Sequence, residues 1–344
     1  MSLRTKNMAL VVALCLFAAA PHVGVYPIFA LKLLCFALFA ASFNLLIGYT
    51  GLLSFGHAAF FGGAAYATGY AMKAWQLPTE LGIAFGVAAG TLLGAVVGAL
   101  AIRRKGIYFA MVTLALAQMF YFVYLQAPFT GGEDGLQGVP RGRLLGLLDM
   151  RPDVAAYYAV GAIVLAAFWL IARIVDSPFG RLLVAVRENE PRAVSLGYDV
   201  DRLKLLAFVL SAALAGLAGS LKTVVLGFAT LTDVAWMMSG SVVLMTLVGG
   251  MGTLAGPFVG AFVVVLLENR LGEAGDWLAG ATGARAFAEI GQSITTVIGL
   301  VFILCVMLFR RGLVGELARL LPERTSRTSL PGPAGPGASV PEHR

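Results

Sequence analysis

Side chains able to do chemistry are sparse in this chain and concentrated in one place. Between Phe179 and Gly219 it reads FGRLLVAVRENEPRAVSLGYDVDRLKLLAFVLSAALAGLAG, with the bases Arg181, Arg187, Arg192, Arg202 and Lys204 beside the acids Glu188, Glu190, Asp199 and Asp201. Acids and bases interspersed on helix-forming sequence, between long apolar runs, belong in water and make a docking surface, not a reaction centre. Elsewhere no paired carboxylates, metal-type cluster, Ser/His/Asp set or Cys/His set can be assembled. Cys15, Cys35 and Cys305 lie far apart within apolar runs and read as small buried hydrophobes. The sequence holds no G-x-x-x-x-G-K-[ST] phosphate loop, so no cofactor or catalysis is expected, and any ATP must be bound by another subunit.

The elements that position this block are membrane spans. With 59% hydrophobic residues, 12% charged residues and 42 glycines, the chain reads as an all-α polytopic integral membrane protein. The formal charge of +7 does not point to nucleic acid, because Lys and Arg cluster at segment ends and in the tail. A span needs about 20 apolar residues, which places segments at 8 to 24, 28 to 47, 52 to 72, 81 to 102, 107 to 127, 154 to 176, 204 to 226 and 286 to 309. The stretch from 236 to 268, interrupted by Gly249, Gly250, Gly252, Gly256 and Pro257, reads as two short helices meeting near Met251, for about ten spans in all. The first segment has the flanks of a signal peptide, but the spans that follow favour an uncleaved helix. With the N-terminus inside, Arg4, Lys6, Arg103, Arg104, Lys105, the bases of the block, Arg310 and Arg311 face the cytoplasm. They outnumber Lys73, Arg141, Arg143, Arg151, Arg270 and Arg285 outside, and both termini fall in the cytoplasm of an inner-membrane, multi-pass protein.

Residues 1–312 form the transmembrane domain, with 177–203 as its cytoplasmic helices and 128–153 as an external loop whose TGGEDGLQGVPRG implies an ordered but irregular connector. That loop either covers a translocation mouth or contacts an external delivery protein, or is merely solvated. Residues 313–344, rich in Pro, Gly and Ser, read as a disordered cytoplasmic tail. The candidate translocation path is the small-residue segment after Gly51: Ser54, Gly56, His57 and Gly62. His57 has two readings, a polar group facing the conduit or a core histidine bonded to a neighbouring helix. Asn44, Thr113, Gln118, Thr223, Thr246 and Gln292 read as ties between helices, and Lys32 as a snorkelling end residue. Asp233, Glu268 and Glu289 sit near segment ends, so no intramembrane proton or ion relay is evident and the power source lies outside the chain.

The block has its own grammar. Asp176, Ser177 and Pro178 start a helix running to Glu188; Asn189, Glu190 and Pro191 start a second, which Gly197 closes; Asp201 caps the helix that re-enters the membrane. Two short helices on an Asn-Glu-Pro elbow make a knob for a partner's groove. The alternative, an amphipathic hairpin lying in membrane lipid, calls for a polar face dominated by Lys and Arg, whereas here the charges nearly balance.

Three runs, NLLIGYTGLLSFGHAAFFGGAAYATGY at 44–70, RENEPRAVSLGYDVDRLKLLAFVLSAALAGLAGSL at 187–221 and GGMGTLAGPFVGA at 249–261, resemble the permease of branched-chain amino acid ABC transporters, the LivM-type subunit. The resemblance spans nearly all of 28–311 and implies an ABC importer permease fold. It further implies that Arg187, Glu188, Asn189, Glu190, Pro191, Ala193 and Gly197 couple to a cytoplasmic ATPase, with Glu190, Ala193 and Gly197 matching the family's Glu, Ala and Gly landmarks. Pro191 and Arg192 depart from the usual ENEIAAEALG-like wording. The implied partners are a homologous permease subunit, two ATP-binding subunits and an extracytoplasmic solute-binding protein; the implied cargo is a branched-chain or other hydrophobic amino acid. A stand-alone secondary transporter and an integral-membrane enzyme are the competing classes.

Overall fold

The computed structural model describes residues 26–144, 146, 148–282, 294–308 and 312–320. The expected first span at 8 to 24, with Arg4, Lys6 and Cys15, lies outside the described residues, as do Arg285, Glu289, Gln292, Arg310, Arg311 and the tail beyond 320. The chain is mainly helical: α1 Pro27–Thr50, α2 His57–Lys73, α3 Thr79–Ala101, α4 Ile107–Gln126, α5 Asp153–Asp176, α6 Pro178–Glu188 and α7 Glu190–Ser195. There follow α8 Val200–Leu226, α9 Trp236–Gly249, α10 Gly256–Thr282, α11 Ile294–Leu308 and α12 Gly312–Leu320. Among the described residues α1, α3, α4, α5 and α8 are long and apolar enough to cross a membrane.

Strands among the described residues are two short ladders in the loop regions. Leu136–Gln137 (β1) pairs with Phe228–Ala229 (β4), and Arg143–Leu144 (β2) with Leu148–Asp149 (β3). The first ladder fastens the 128–153 loop to the chain leaving α8, and Arg141 adds a bond from Nε to the Val225 carbonyl and an ion pair with Asp153 at 2.5 Å. The irregular connector expected here is thus a pinned cap.

Helix α8 is the axis of the bundle and packs on α1, α2 and α3. The approach is close because small residues face one another. Gly86, Gly90, Gly94 and Gly98 lie one turn apart on α3, and a Cβ at each would meet, in order, Thr68 and Ser220, the Gly216 backbone, Ala212, and Leu205 with Phe208. On the α2 side, a Cβ on Gly219 would strike the Phe61 carbonyl. Thr68 Oγ1 donates to Ser220 Oγ at 2.8 Å within this seam.

Several boundaries differ from expectation. The span expected at 52 begins at His57, because Gly51 takes φ +74° to close α1 and residues 51–56 run non-helical. The 236–268 stretch divides as expected, with Gly250 at φ +119° and Gly252 at φ +75°, but α10 continues to Thr282. Glu268 therefore sits inside a helix, where it pairs with Lys32 at 3.5 Å, and Lys32 does not simply snorkel. The tail expected to be disordered from 313 opens with helix α12, since Leu313, Val314 and Leu317 recur at helical spacing.

The connections gather at two ends. One end holds residues 51–56, the α3–α4 loop, α6–α7 and the α9–α10 break, tied by Lys105 to Glu190, Arg187 to the Gly48 carbonyl, and the close approach of Gly252 to Gly48. The opposite end holds the α2–α3 connection, the 128–153 loop and the chain after α8, tied by Lys73 Nζ donating to the Gln137 carbonyl at 2.7 Å and by the β1–β4 ladder.

Candidate functional site

The elbow is built by local capping. Pro178 occupies the first turn of α6, where it forfeits no hydrogen bond, and Ser177 Oγ accepts from Gly180 N at 3.3 Å. Asn189, at φ −154°, ends α6 and its Oδ1 accepts from Arg192 N at 3.1 Å, so one residue both stops one helix and starts the next. Gly197, at φ +88°, closes α7: Gly197 N donates to the Val194 carbonyl at 2.9 Å and Tyr198 N to the Ala193 carbonyl at 3.2 Å, the Schellman pairing. The cap of α8 is Asp199, whose Oδ1 accepts from Arg202 N at 3.2 Å, not the expected Asp201. Gly197 turns the chain so that Asp199 is the last non-helical residue, which leaves Asp201 in the first turn, where its charge suits the helix dipole.

Of the seven residues expected to couple, Arg187, Glu188, Asn189, Pro191 and Gly197 are exposed. Ala193 is buried, packed with Val186, Val200 and Leu203 beneath the knob. Glu190 is half-buried, and Arg187, though exposed, reaches back to the bundle. The Arg187 guanidinium donates to the Gly48 carbonyl at the end of α1, and its stem lies over Gly51. Glu190 pairs with Lys105 and Lys204, each at 2.8 Å. Burial pushes the Glu190 carboxyl up, and the two ammoniums more than offset it, holding it below the usual carboxylate range. The outer face also carries Val194, Leu196 and Tyr198, with Val194 56% and Leu196 68% exposed. Sequence reasoning missed these three; the signal was apolar side chains in a block whose charges place it in water.

The four path candidates all lie in the core. Ser54 and His57 are 0% exposed, and Gly56 and Gly62 are buried. The non-helical run before α2 is satisfied by side chains of other helices: Phe55 N donates to Thr113 Oγ1 at 3.2 Å and Ala58 N to Ser239 Oγ at 2.9 Å, while Gly56 N donates to Ser54 Oγ at 3.2 Å. Ser211 Oγ donates to the Ser42 carbonyl at 2.6 Å, so it accepts from His57 Nε2 at 2.8 Å, which sets the tautomer and leaves Nδ1 without a partner. Edge-on contacts from Phe43, Phe60 and Phe208 box the ring. Gly62 abuts the backbone of Asp233 and Val234.

Two polar clamps hold the ends of the bundle. Asn44 Nδ2 donates to the Thr253 carbonyl and its Oδ1 accepts from Gly252 N, both at 2.9 Å, so one amide grips the α9–α10 break. At the other end Lys222 and Asp233 form a buried ion pair at 2.5 Å, with the lysine over the Phe228 ring and Thr230 N donating to the carboxylate at 2.9 Å. The sequence placed Asp233 near a segment end and gave no sign of Lys222 as its partner.

Comparison with known proteins identifies this architecture. Residues 27–309 match the family model described as branched-chain amino acid transport system / permease component. The high-affinity branched-chain amino acid transport system permease proteins LivM of Escherichia coli and Salmonella typhimurium are 29% and 28% identical over 256 residues, 66% of this chain. The chain spans 59% of the length of each. The ribose import permease protein RbsC of Haemophilus influenzae is 28% identical over 47% of this chain and 50% of its own. No solved structure matches the chain.

Proposed function

Because the chain belongs to the permease family of branched-chain amino acid transport systems, we propose that it is the membrane-spanning permease of an ATP-binding-cassette importer. It crosses the inner membrane about ten times with both termini in the cytoplasm, pairs with a homologous permease subunit, receives cargo from an extracytoplasmic solute-binding protein and alternates access as two separate ATP-binding subunits close beneath it. ATP is bound by those subunits. The cargo is a branched-chain or other hydrophobic amino acid; this follows the LivM relatives, whose likeness extends over more of the chain than that of the ribose permease.

The observation that carries the reading is the outer face of α6–α7. A capped knob presenting Val194, Leu196 and Tyr198 among Glu188 and Arg192, in a charged block between membrane spans, is complementary to an apolar groove rimmed by charge on a soluble partner. The Lys105–Glu190 pair and Arg187 hold that face to the ends of the membrane helices, so movement of the partner reaches the bundle. The test is purification with the co-encoded ATPase subunits and reconstitution with the binding protein. Leucine uptake driven by ATP, lost when Leu196 is replaced by Asp, supports the reading; uptake driven by an ion gradient without the ATPase refutes it.

A further inference from the structure

The inner face of the elbow divides one carboxylate between helix α8 and the α3–α4 loop. Glu190 Oε1 meets Lys105 Nζ and Oε2 meets Lys204 Nζ, each at 2.8 Å. Lys204 belongs to the first turns of α8 and is buried; Lys105 belongs to the α3–α4 loop and its side chain is 73% exposed. Beside the carboxylate a cavity of about 200 Å³ lies between the elbow and the end of α1, lined in part by Thr50, Gly51, Leu52 and Gly106. The two bonds are therefore unequal in exposure: the Lys204 side chain is 7% exposed and that of Lys105 73%. A carboxylate with both oxygens so occupied is turned away from any partner on the outer face.

We propose that Glu190 is a positioning residue that clasps the elbow to the rest of the permease, with Lys204 its fixed arm and Lys105 a releasable arm that makes α3 and α4 follow the elbow. This rests on the reading that an ATPase seats on the outer face of α6–α7. Arg103 and Arg104 of the same short loop form no ion pair with Glu190 among the described residues, so the releasable arm is assigned to Lys105. An exposed arm of this kind is screened by salt far more than the buried arm.

The experiment uses the full transporter in proteoliposomes and reads solute moved per ATP hydrolysed. Lys105→Gln should fold, retain its ATPase and hydrolyse at the parent's basal rate, while the coupling ratio falls about two- to fivefold, the range of one exposed ion pair; Lys105→Arg should restore it. Raising salt should lower the parent's ratio toward that of Lys105→Gln and leave the variant unchanged. An unchanged ratio in Lys105→Gln, or a ratio that falls with salt equally in both, overturns the clasp. Loss of ATPase association in Lys105→Gln also overturns it, by making Lys105 part of the docking face. The underlying reading is read separately, from cross-linking of Leu196→Cys to the ATPase: no cross-link there with normal transport refutes the seat on α6–α7, whatever the coupling ratio does.

Discussion

Replacing Gly197 by valine isolates backbone geometry at the elbow. Gly197 sits at φ +88°, and a Cβ there would meet nothing within 4 Å, so the cost of a side chain is conformational and not steric crowding by neighbours. An L-residue in the left-handed region costs about 1 to 2 kcal/mol, the upper end for a β-branched one. The bonds at risk are those from Gly197 N to Val194 and from Tyr198 N to Ala193, which close a helix of only 6 residues that cannot persist alone. A penalty of that size lowers the closed population by a factor of about 5 to 30 where open and closed forms compete. Under the proposed docking, affinity for the ATPase falls by the same factor, because only the closed form presents Val194, Leu196 and Tyr198 together. Binding of the ATPase to permease in nanodiscs and solute-stimulated hydrolysis in proteoliposomes measure this, with the solute-binding protein's ligand affinity as the unaffected control. Gly197→Asn, which tolerates positive φ, should stay near the parent. Parent-like affinity in Gly197→Val refutes the reasoning; so does equal damage in Gly197→Asn, which would implicate bulk at the interface.

Three further outcomes follow from the core. His57→Ala empties a fully enclosed ring site and removes a donor from Ser211, a loss on the order of 3 kcal/mol, so folded yield and transport should fall together; transport lost at constant folded yield would instead place the imidazole against cargo. Lys222→Met strands the Asp233 carboxylate and should cost about 3 to 5 kcal/mol in thermal unfolding, most of it recovered by adding Asp233→Asn, which keeps an acceptor for Thr230 N; a parent-like single variant would show that the pair is solvated. Gly219→Ala forces a methyl group onto the Phe61 carbonyl and should sharply reduce folded protein by size-exclusion chromatography, while Gly240→Ala, with open space at its Cβ, is tolerated; equal behaviour of the two would refute the seam.

What was legible in the sequence was whatever short-range chemistry decides. Span length selected α1, α3, α4, α5 and α8, and the helices of the elbow followed from Ser177, Asn189 and Gly197, each acting within four residues of itself. The Gly86, Gly90, Gly94, Gly98 row was also there to be read, since glycine one turn apart in an apolar span marks a face that another helix approaches closely. Within a run already recognised as a span it added nothing to the apolar count, which is why it passed unnoticed. Asp199 and Asp201 are both good caps by type, and only the turn closed by Gly197 decides between them.

The remainder depends on which elements fold back onto which. Lys222 and Asp233 stand 11 residues apart and meet because the chain reverses through β4 and a single turn, which carbon-chain chemistry at either residue does not specify. The same limit governs the small residues after Gly51. A missing side chain permits close approach of a backbone, and the approaching backbone is equally a neighbouring helix or the wall of a conduit; at Gly62 it is the Asp233–Val234 segment, and at Gly56 it is Thr113 of α4. Charge type likewise places the elbow in water without saying which acid faces out. Glu188 and Glu190 differ in that respect because Lys204 rises from the first turns of α8 directly behind Glu190, so one buried lysine turns one carboxylate inward and leaves the other exposed. The division of the elbow into an exposed outer face and an inner face bonded to the bundle is therefore set by α8, and under the proposed docking an ATPase on the outer face would act on an element already registered against the bundle.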